Sequence, residues 1–591
     1  MPAVVVAVAV FALFALGFIY YSRYLADKVY ALDPERTTPA HEFADGVDFV
    51  PTNKHVLFGH HFTSIAGAAP IVGPAIAVFW GWGPALAWIV LGTIFAAGVH
   101  DFGALVVSVR HKARNIGTLT ADVISKRSRV LFLCVIFFLL TLVNAVFAVV
   151  IGNLFVANPG AVIPIFVEIP LAIAIGQYIY RTRSPALVPS IVGVILLYFL
   201  IWVGSEVPIE IDGLADALGF GQTRDLWVVI MFVYTFIASR LPVWLLLQPR
   251  DYINSHQLFI ALAVTFVGVL VGWDTMVAPA LNDVPDGSPS IFPFLFITIA
   301  CGAISGFHSL VSSGTTSKQL ANERDARHVG YLGALGEGSL ALASVLAVSA
   351  GVAATRVEWD ELYATHADAS GGATGNFVNG IAQFANNLGV EFQLATVFAA
   401  VVVVSFAATT MDTGIRLQRY IVQEISTMLG WTRLARSLTL AGLVAVVVPL
   451  ALALVPGDGD AGYTFGTLWR LFGTTNQLTA GLALAVIAVW VTRNRRNPLA
   501  AVIPLAFLLI MTSWALFIQF FEFIDEGEWV LAPLDAIIFV LAVWLIVEAI
   551  GAMRRTVAER RAATPIGDAD SDGGTGQAVA ETEQRPREDG Q

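Results

Sequence analysis

Charge is what this 591-residue chain has least of. Asp, Glu, Lys and Arg make up 13% of it, while 57% is hydrophobic and the mean hydropathy is +0.74. A soluble domain carries about twice that share of charge, and a water-facing surface cannot be assembled from what is here. A soluble enzyme, a nucleic-acid binder and a secreted scaffold are thereby excluded. Cysteine is nearly missing too: Cys134 and Cys301, each inside an apolar run, form neither a disulfide framework nor a CxxC metal site. Lysine occurs only at positions 28, 54, 112, 126 and 318, never after glycine. The chain therefore lacks a GxxxxGK[ST] phosphate loop, which disfavours an ATP-driven pump. The net charge of −11 says little about partners, because Ala562–Gln591 alone holds seven acids and two bases. What is left is a polytopic membrane protein.

Apolar runs long enough to cross a bilayer, roughly 20 residues at 1.5 Å rise, recur along almost the whole sequence. Fifteen are expected, at about 2–22, 60–80, 83–109, 129–155, 160–180, 186–205, 226–247, 254–273, 290–313, 332–353, 390–410, 434–455, 474–492, 498–521 and 531–552. They lack the alternating pattern of barrel strands and so must be helices. The first has no basic n-region and no small-residue cleavage site, so it reads as an anchor rather than a removed signal peptide. Basic residues fall in every second loop, from Arg110, Lys112 and Arg114 through Arg493, Arg495 and Arg496 to Arg554 and Arg555. Of 33 Lys and Arg, only Arg224 and Arg356 lie clearly opposite, with Arg240 and Arg470 in or near spans. The positive-inside rule then places the N-terminus outside and the C-terminus in the cytoplasm. Past Arg561 the sequence is rich in Gly, Asp and Gln and reads as disordered.

Polar groups at membrane depth are costly and usually face a cavity or a partner. In FGHHFTSIAGAAPIVGPAIA (Phe58–Ala77), Gly67, Pro70, Gly73 and Pro74 interrupt the helical ladder. A half-helix N-terminus at Ala66, Gly67, Ala68 and Ala69 would offer amides to an anion, and unwound carbonyls would suit a cation. The plain alternative is a packed proline kink; His60, His61, Thr63 and Ser64 just before the break favour a site. His100 beside Asp101 reads equally as a proton-relay pair and as a structural pair near Arg110. In CGAISGFHSLVSSGTTSKQL, Cys301, Ser305, His308 and Ser312 would share one helical face, with Ser309, Ser313 and Thr316 on the adjacent stripe. Such hydroxyls permit close helix packing, and they also suit a small cation or a carboxylate. Glu337, Asp412, Asn144 and Glu168, taken singly, read as structural partners. Arg240, beside a second expected break at Pro242, is the exception, since a buried guanidinium grips a carboxylate with two bonds.

Two function classes compete. Spans 60–205 and 226–410 count five each, and two five-helix units in series run oppositely, as in the inverted repeats of secondary transporters. Each unit would open with an interrupted helix, at Gly67–Pro74 and at Ser239–Pro242. The alternative is a membrane redox protein holding haem or metal through His60, His61, His100 and His308. Against it, adjacent His60 and His61 point about 100° apart on a helix, and no iron–sulfur or flavin signature accompanies them.

Several long segments carry a resemblance: NKHVLFGHHFTSIAGAAPIVGPAIAVFWGWGPALAWIVLGTIFAAGVHDF (Asn53–Phe102), SRLPVWLLLQPRDYINSH (Ser239–His256), FHSLVSSGTTSKQL (Phe307–Leu320), MDTGIRLQRYIVQE (Met411–Glu424) and LWRLFGTTNQLTA (Leu468–Ala480). Together they closely resemble the carbon starvation protein A family. The resemblance implies an inner-membrane transporter, related to the amino acid–polyamine–cation superfamily, taking up peptides during nutrient limitation; some members look like proton-coupled pyruvate symporters. The superfamily likeness places Ser312, Ser313, Thr315 and Thr316 near an ion site and leaves His61, His100, Asp101 or Glu337 as a titratable coupling group. The acidic tail has no counterpart in that pattern.

The expected fold is thus an all-α membrane protein of about fifteen transmembrane helices, with inverted five-helix repeats and broken helices. Its parts are a peripheral helix and cytoplasmic loop (1–50), two repeats (51–205 and 206–411), peripheral helices (412–553) and a disordered cytoplasmic tail (554–591). The expected solute, a peptide or small carboxylate, would meet His61, Ser64, Ala66, Gly67, Ala68, Ala69, Arg240 and His308. Protons or sodium would couple through His100, Asp101, Ser312, Ser313, Thr315, Thr316 and Glu337. The partners expected are that solute, the ion and the lipid bilayer, with no nucleic acid, no cofactor and no metal.

Overall fold

Backbone amides in lipid have no water to bond, so runs this apolar close their hydrogen bonds within themselves as helices. The computed structural model describes residues 1–45, 48–182, 184–242, 244–455 and 465–562. Among them every regular element is a helix, and the only ladder contacts are isolated bridges, Pro2 with Thr275 and Thr52 with Leu320. Among the described residues, eleven helices are long and apolar enough to cross a membrane. A twelfth crossing is a bent pair, Lys54–Ile65 and Ala69–Trp80, meeting at 52°.

This count falls below the expected fifteen at three places. Thr223–Ala238 and Leu438–Ala453 are helical for 16 residues each, short of a full crossing by length alone. The run 290–313 is divided into Ile291–Thr298 and Gly306–Gly314. The expected boundary at 411/412 falls inside one unbroken helix, Phe392–Met428. Helix Leu531–Ala562 continues past 554, and the rest of the expected tail lies outside the described residues.

Helix Lys126–Ala157 packs against both Phe392–Met428 and Phe465–Arg493, and all three are mostly buried. The rim is apolar on its outer side as well: Val8, Ile195, Ile503 and Val547, on four different helices, are 62–65% exposed. Large apolar side chains turned outward all round belong against lipid. The polar residues gather inside, where the divided helices meet.

Candidate functional site

The first break is built by proline and small residues. Asn53 opens the Lys54–Ile65 helix by accepting a hydrogen bond from the His55 amide (2.9 Å). The ladder stops at Ile65, where Ala66 turns to ψ 67°, and a new helix starts at Ala69 with Pro70 in its first turn. Pro70 has no N–H to continue the old ladder. Ala66, Gly67, Ala68 and Ala69 are buried, as expected. The Ala66 amide, however, bonds the Phe62 carbonyl and the Gly67 amide the Ile65 carbonyl, both at 2.9 Å. That leaves the half-helix amides of Ala68 and Ala69 as the candidates for a ligand.

The second break is not at Ser239–Pro242. There, helix Thr223–Ala238 simply ends and the chain turns into the next helix, Leu247–Gly272. Arg240 is exposed, its guanidinium 5.5 Å from the Phe236 ring centre, so it is no buried carboxylate receptor. The interruption lies at 299–305 instead. Gly302 adopts φ +96° there, and a Cβ at that position would lie 2.8 Å from Ala341 Cβ, so only glycine fits without strain. Side chains take up the freed carbonyls: Trp88 Nε1 donates to Ile299 O (3.2 Å), Trp469 Nε1 to Thr298 O (3.2 Å) and Thr93 Oγ1 to Gly302 O (3.1 Å). Asn476 Oδ1 accepts from Ser305 Oγ and the Phe307 amide, and its Nδ2 donates to Cys301 Sγ, all at 3.2 Å. Cys301 and Ser305 therefore sit in unwound chain rather than on the continuous face expected with His308 and Ser312. The two breaks touch: a Cβ on Gly73 would lie 2.4 Å from Thr298 O, and one on Gly302 3.5 Å from Pro70 Cα.

At this junction four expected residues come together. His100 Nδ1 meets Asp101 Oδ1 at 2.7 Å; His308 Nδ1 meets Asp101 Oδ2 at 2.8 Å; His308 Nε2 meets Glu337 Oε1 at 3.2 Å. All are at most 1% exposed. His308 thus bridges two carboxylates supplied by helices Gly98–Val109 and Leu332–Leu346, an arrangement able to hold and pass protons.

The hydroxyls are mostly spoken for. Ser313 Oγ donates to Ser309 O (2.5 Å) and accepts from the Ile116 amide (2.9 Å), and Thr315 Oγ1 donates to Val311 O (3.0 Å). Thr316 Oγ1 bonds His61 Nδ1 (2.9 Å), and Ser64 Oγ donates to His60 O (2.8 Å). Only Ser312 Oγ is buried without a partner in this set. His61 itself is fully buried against Gly333.

A cavity of about 510 Å³ leads inward from the face bearing the basic loops. Ser64 and Thr315 line it among the expected residues, joined by His60, Asp251, Lys318 and Arg416; His61, His308 and Arg240 do not line it. His60 Nδ1 faces Asp251 Oδ2 at 3.3 Å. Beside Asp251 lies a charged cluster that the sequence reading missed. Arg250, 1% exposed, donates through Nη1 to Asp412 Oδ2 (2.7 Å) and Tyr234 OH (2.6 Å), with Glu168 Oε1 3.7 Å from Nε. The motif QPRDYINSH carries the signal, but its polar start falls between the expected spans 226–247 and 254–273, whereas the helix begins at Leu247.

The imidazoles do not assemble as metal or haem ligands: His60 faces Asp251, His61 faces Thr316, and His100 and His308 face Asp101. Among the described residues no group of three His, Cys, Asp or Glu side chains is placed to hold a metal ion.

The sequence matches the family described as Carbon starvation protein CstA over residues 2–361 and 357–515. The peptide transporter CstA of Campylobacter jejuni is 34% identical over 570 residues, covering 87% of this chain and 79% of its own. The pyruvate/proton symporter BtsT of Escherichia coli is 31% identical over 588 residues, covering 88% and 81%. Among solved structures, the Eremococcus coleocola manganese transporter in complex with an aromatic bis-isothiourea substituted compound is similar at 14% identity and a TM-score of 0.49, covering 87% of this chain and 99% of that one. By its match along nearly the whole sequence, the chain belongs to the carbon starvation protein CstA family, and it is a membrane transporter rather than an enzyme.

Proposed function

We infer that the chain carries a small carboxylate or a peptide into the cell together with protons. The observation that carries this reading is the buried Asp101–His308–Glu337 chain set against the second break. With both carboxylates ionised, His308 must be an imidazolium to donate from both nitrogens, and the trio Asp101–His308–Glu337 has a net charge of −1. One further proton on Glu337 makes it neutral. A buried group without net charge can be moved or re-exposed at membrane depth at far lower cost than a charged one. Proton loading then licenses the change of access.

Counting Thr223–Ala238, Leu438–Ala453 and the divided 291–314 segment as crossings gives fifteen. The basic loops then face the cytoplasm of a plasma-membrane protein with its N-terminus outside. The bent helix 54–80 is second in that series and the divided helix 291–314 ninth, so they run in opposite directions. That supports an inverted repeat opening at these two helices rather than at 206. The cavity then faces the cytoplasm, and the solute leaves past His60 and Ser64 from the first break, where the Ala68 and Ala69 amides face it. The relatives named for peptide and for pyruvate transport share a carboxylate-bearing cargo. Protons are favoured over sodium because Ser313 Oγ already accepts from the Ile116 amide and Thr316 Oγ1 is paired with His61 Nδ1.

The test is uptake by purified protein in sodium-free proteoliposomes under an inward proton gradient. Radiolabelled pyruvate or a tripeptide should accumulate and be released by a protonophore. Accumulation that requires sodium and ignores the protonophore would contradict the reading.

A further inference from the structure

The Arg250 cluster contains a guanidinium with one edge unused. Nη1 serves Asp412 and Tyr234, while Nε and Nη2 make no hydrogen bond although Arg250 is 1% exposed. The groups around it are in the same condition: both oxygens of Glu168, Asp412 Oδ1, Asp251 Oδ1 and Asn254 Oδ1 are buried with no hydrogen-bond partner. So many unmet polar atoms about one cation are costly. The Nε/Nη2 edge is the one whose two parallel N–H groups match a carboxylate. The cluster is also next to the cavity, since Asp251 and Thr413, neighbours of Arg250 and Asp412 in the chain, line it.

We propose that the free Nε/Nη2 edge of Arg250 receives the carboxylate of the transported solute while Glu168 takes up a proton. This rests on the reading of the chain as a proton-coupled carboxylate carrier, and it adds the docking group and a second proton acceptor. The charge count gives the coupling. Arg250, Glu168 and Asp412 sum to −1; an arriving carboxylate adds −1 and takes the sum to −2, and one proton from the outer solution on Glu168 Oε restores −1. Glu168 Oε1 lies 3.7 Å from Nε, so Glu168 and the solute compete electrostatically for one guanidinium, and protonation of Glu168 removes that competition at the edge the solute needs. On the cytoplasmic side the proton leaves Glu168, its carboxylate returns toward Nε, and the solute is released. Asp251, paired with His60, stands between cluster and cavity and is the other titratable pair facing Arg250.

Two substitutions in the full chain, reconstituted in proteoliposomes, test this with pyruvate as the probe. E168Q keeps Arg250 and side-chain volume; it should retain pyruvate counterflow yet lose accumulation driven by a proton gradient. Unchanged gradient-driven accumulation in E168Q would overturn the proposal. R250K keeps the charge but not the two-pronged edge, and its KM for pyruvate should rise about tenfold or more, the loss of one charge-assisted hydrogen bond. An unchanged KM in monodisperse R250K would also overturn it; should R250K fail to fold, E168Q decides alone. If the unmodified protein transports no carboxylate, the proposed function fails and this inference with it. Normal transport by the unmodified protein with indifferent variants removes only the inference.

Discussion

Replacing His308 by alanine removes the one side chain that bridges Asp101 and Glu337. Asp101 keeps His100 at 2.7 Å on its other oxygen, so the stranded charge is chiefly Glu337, 1% exposed. Removing one partner of a buried ion pair costs about 3–5 kcal/mol, and H308A should lose that much stability at neutral pH. E337Q leaves an amide able to bond His308 and carries no stranded charge. It should cost about 1–2 kcal/mol, the range for one imperfect buried hydrogen bond. In the double variant H308A/E337Q the stranded carboxylate is gone, so the two losses should fall short of additivity by about 1–3 kcal/mol. Unfolding of the purified proteins in detergent, followed by tryptophan fluorescence against denaturant, ranks the three. Gradient-driven uptake in the same preparations should be lost in H308A. Additive losses, or an H308A protein that still accumulates solute against a proton gradient, would refute the reasoning.

Three further outcomes are expected. Gly302→Ala places a methyl 2.8 Å from Ala341 Cβ at φ +96° and should lower stability by about 2–4 kcal/mol, left-handed strain plus overpacking, measured by the same unfolding curves. Asn476→Ala frees Ser305, the Phe307 amide and Cys301 and should cost about 1 kcal/mol per lost bond; thermal unfolding matching the unmodified protein would count against its role in holding the break. Arg240→Lys, exposed on a connecting turn, should leave the rate of uptake within about twofold, the range of ordinary surface changes.

The parts of the fold that rest on composition were legible from the sequence, because lipid permits so few backbone solutions. The first break announced itself through Gly67 and Pro70, whereas Gly73 and Pro74 lie inside the helix that follows. The second did not, because residues 299–305 unwind without proline. Its geometry depends on Gly302 and on donors from Trp88, Trp469 and Asn476, residues far away in the chain. Arg240 and Arg250 were exchanged for a similar reason. Hydropathy started the helix at 254, past Arg250, whose charge is balanced by Asp412 and Glu168 from other helices. The Asp101–His308–Glu337 chain lay between these cases: its members stood out as intramembrane ionisable groups, but their meeting needed the third dimension. The hydroxyl stripe is ambiguous in sequence, since serine and threonine bond the preceding helical turn as readily as they bond an ion.

On the proposed reading, carboxylate and proton cross together through the junction of the two broken helices. The most direct measurement is the pyruvate-driven pH change outside sodium-free proteoliposomes, recorded alongside solute uptake for the unmodified protein and E337Q. External alkalinisation in fixed proportion to pyruvate taken up is expected, with a loss of that proportion in E337Q. Pyruvate entry with no pH change, or an E337Q protein that moves protons like the original, would contradict it.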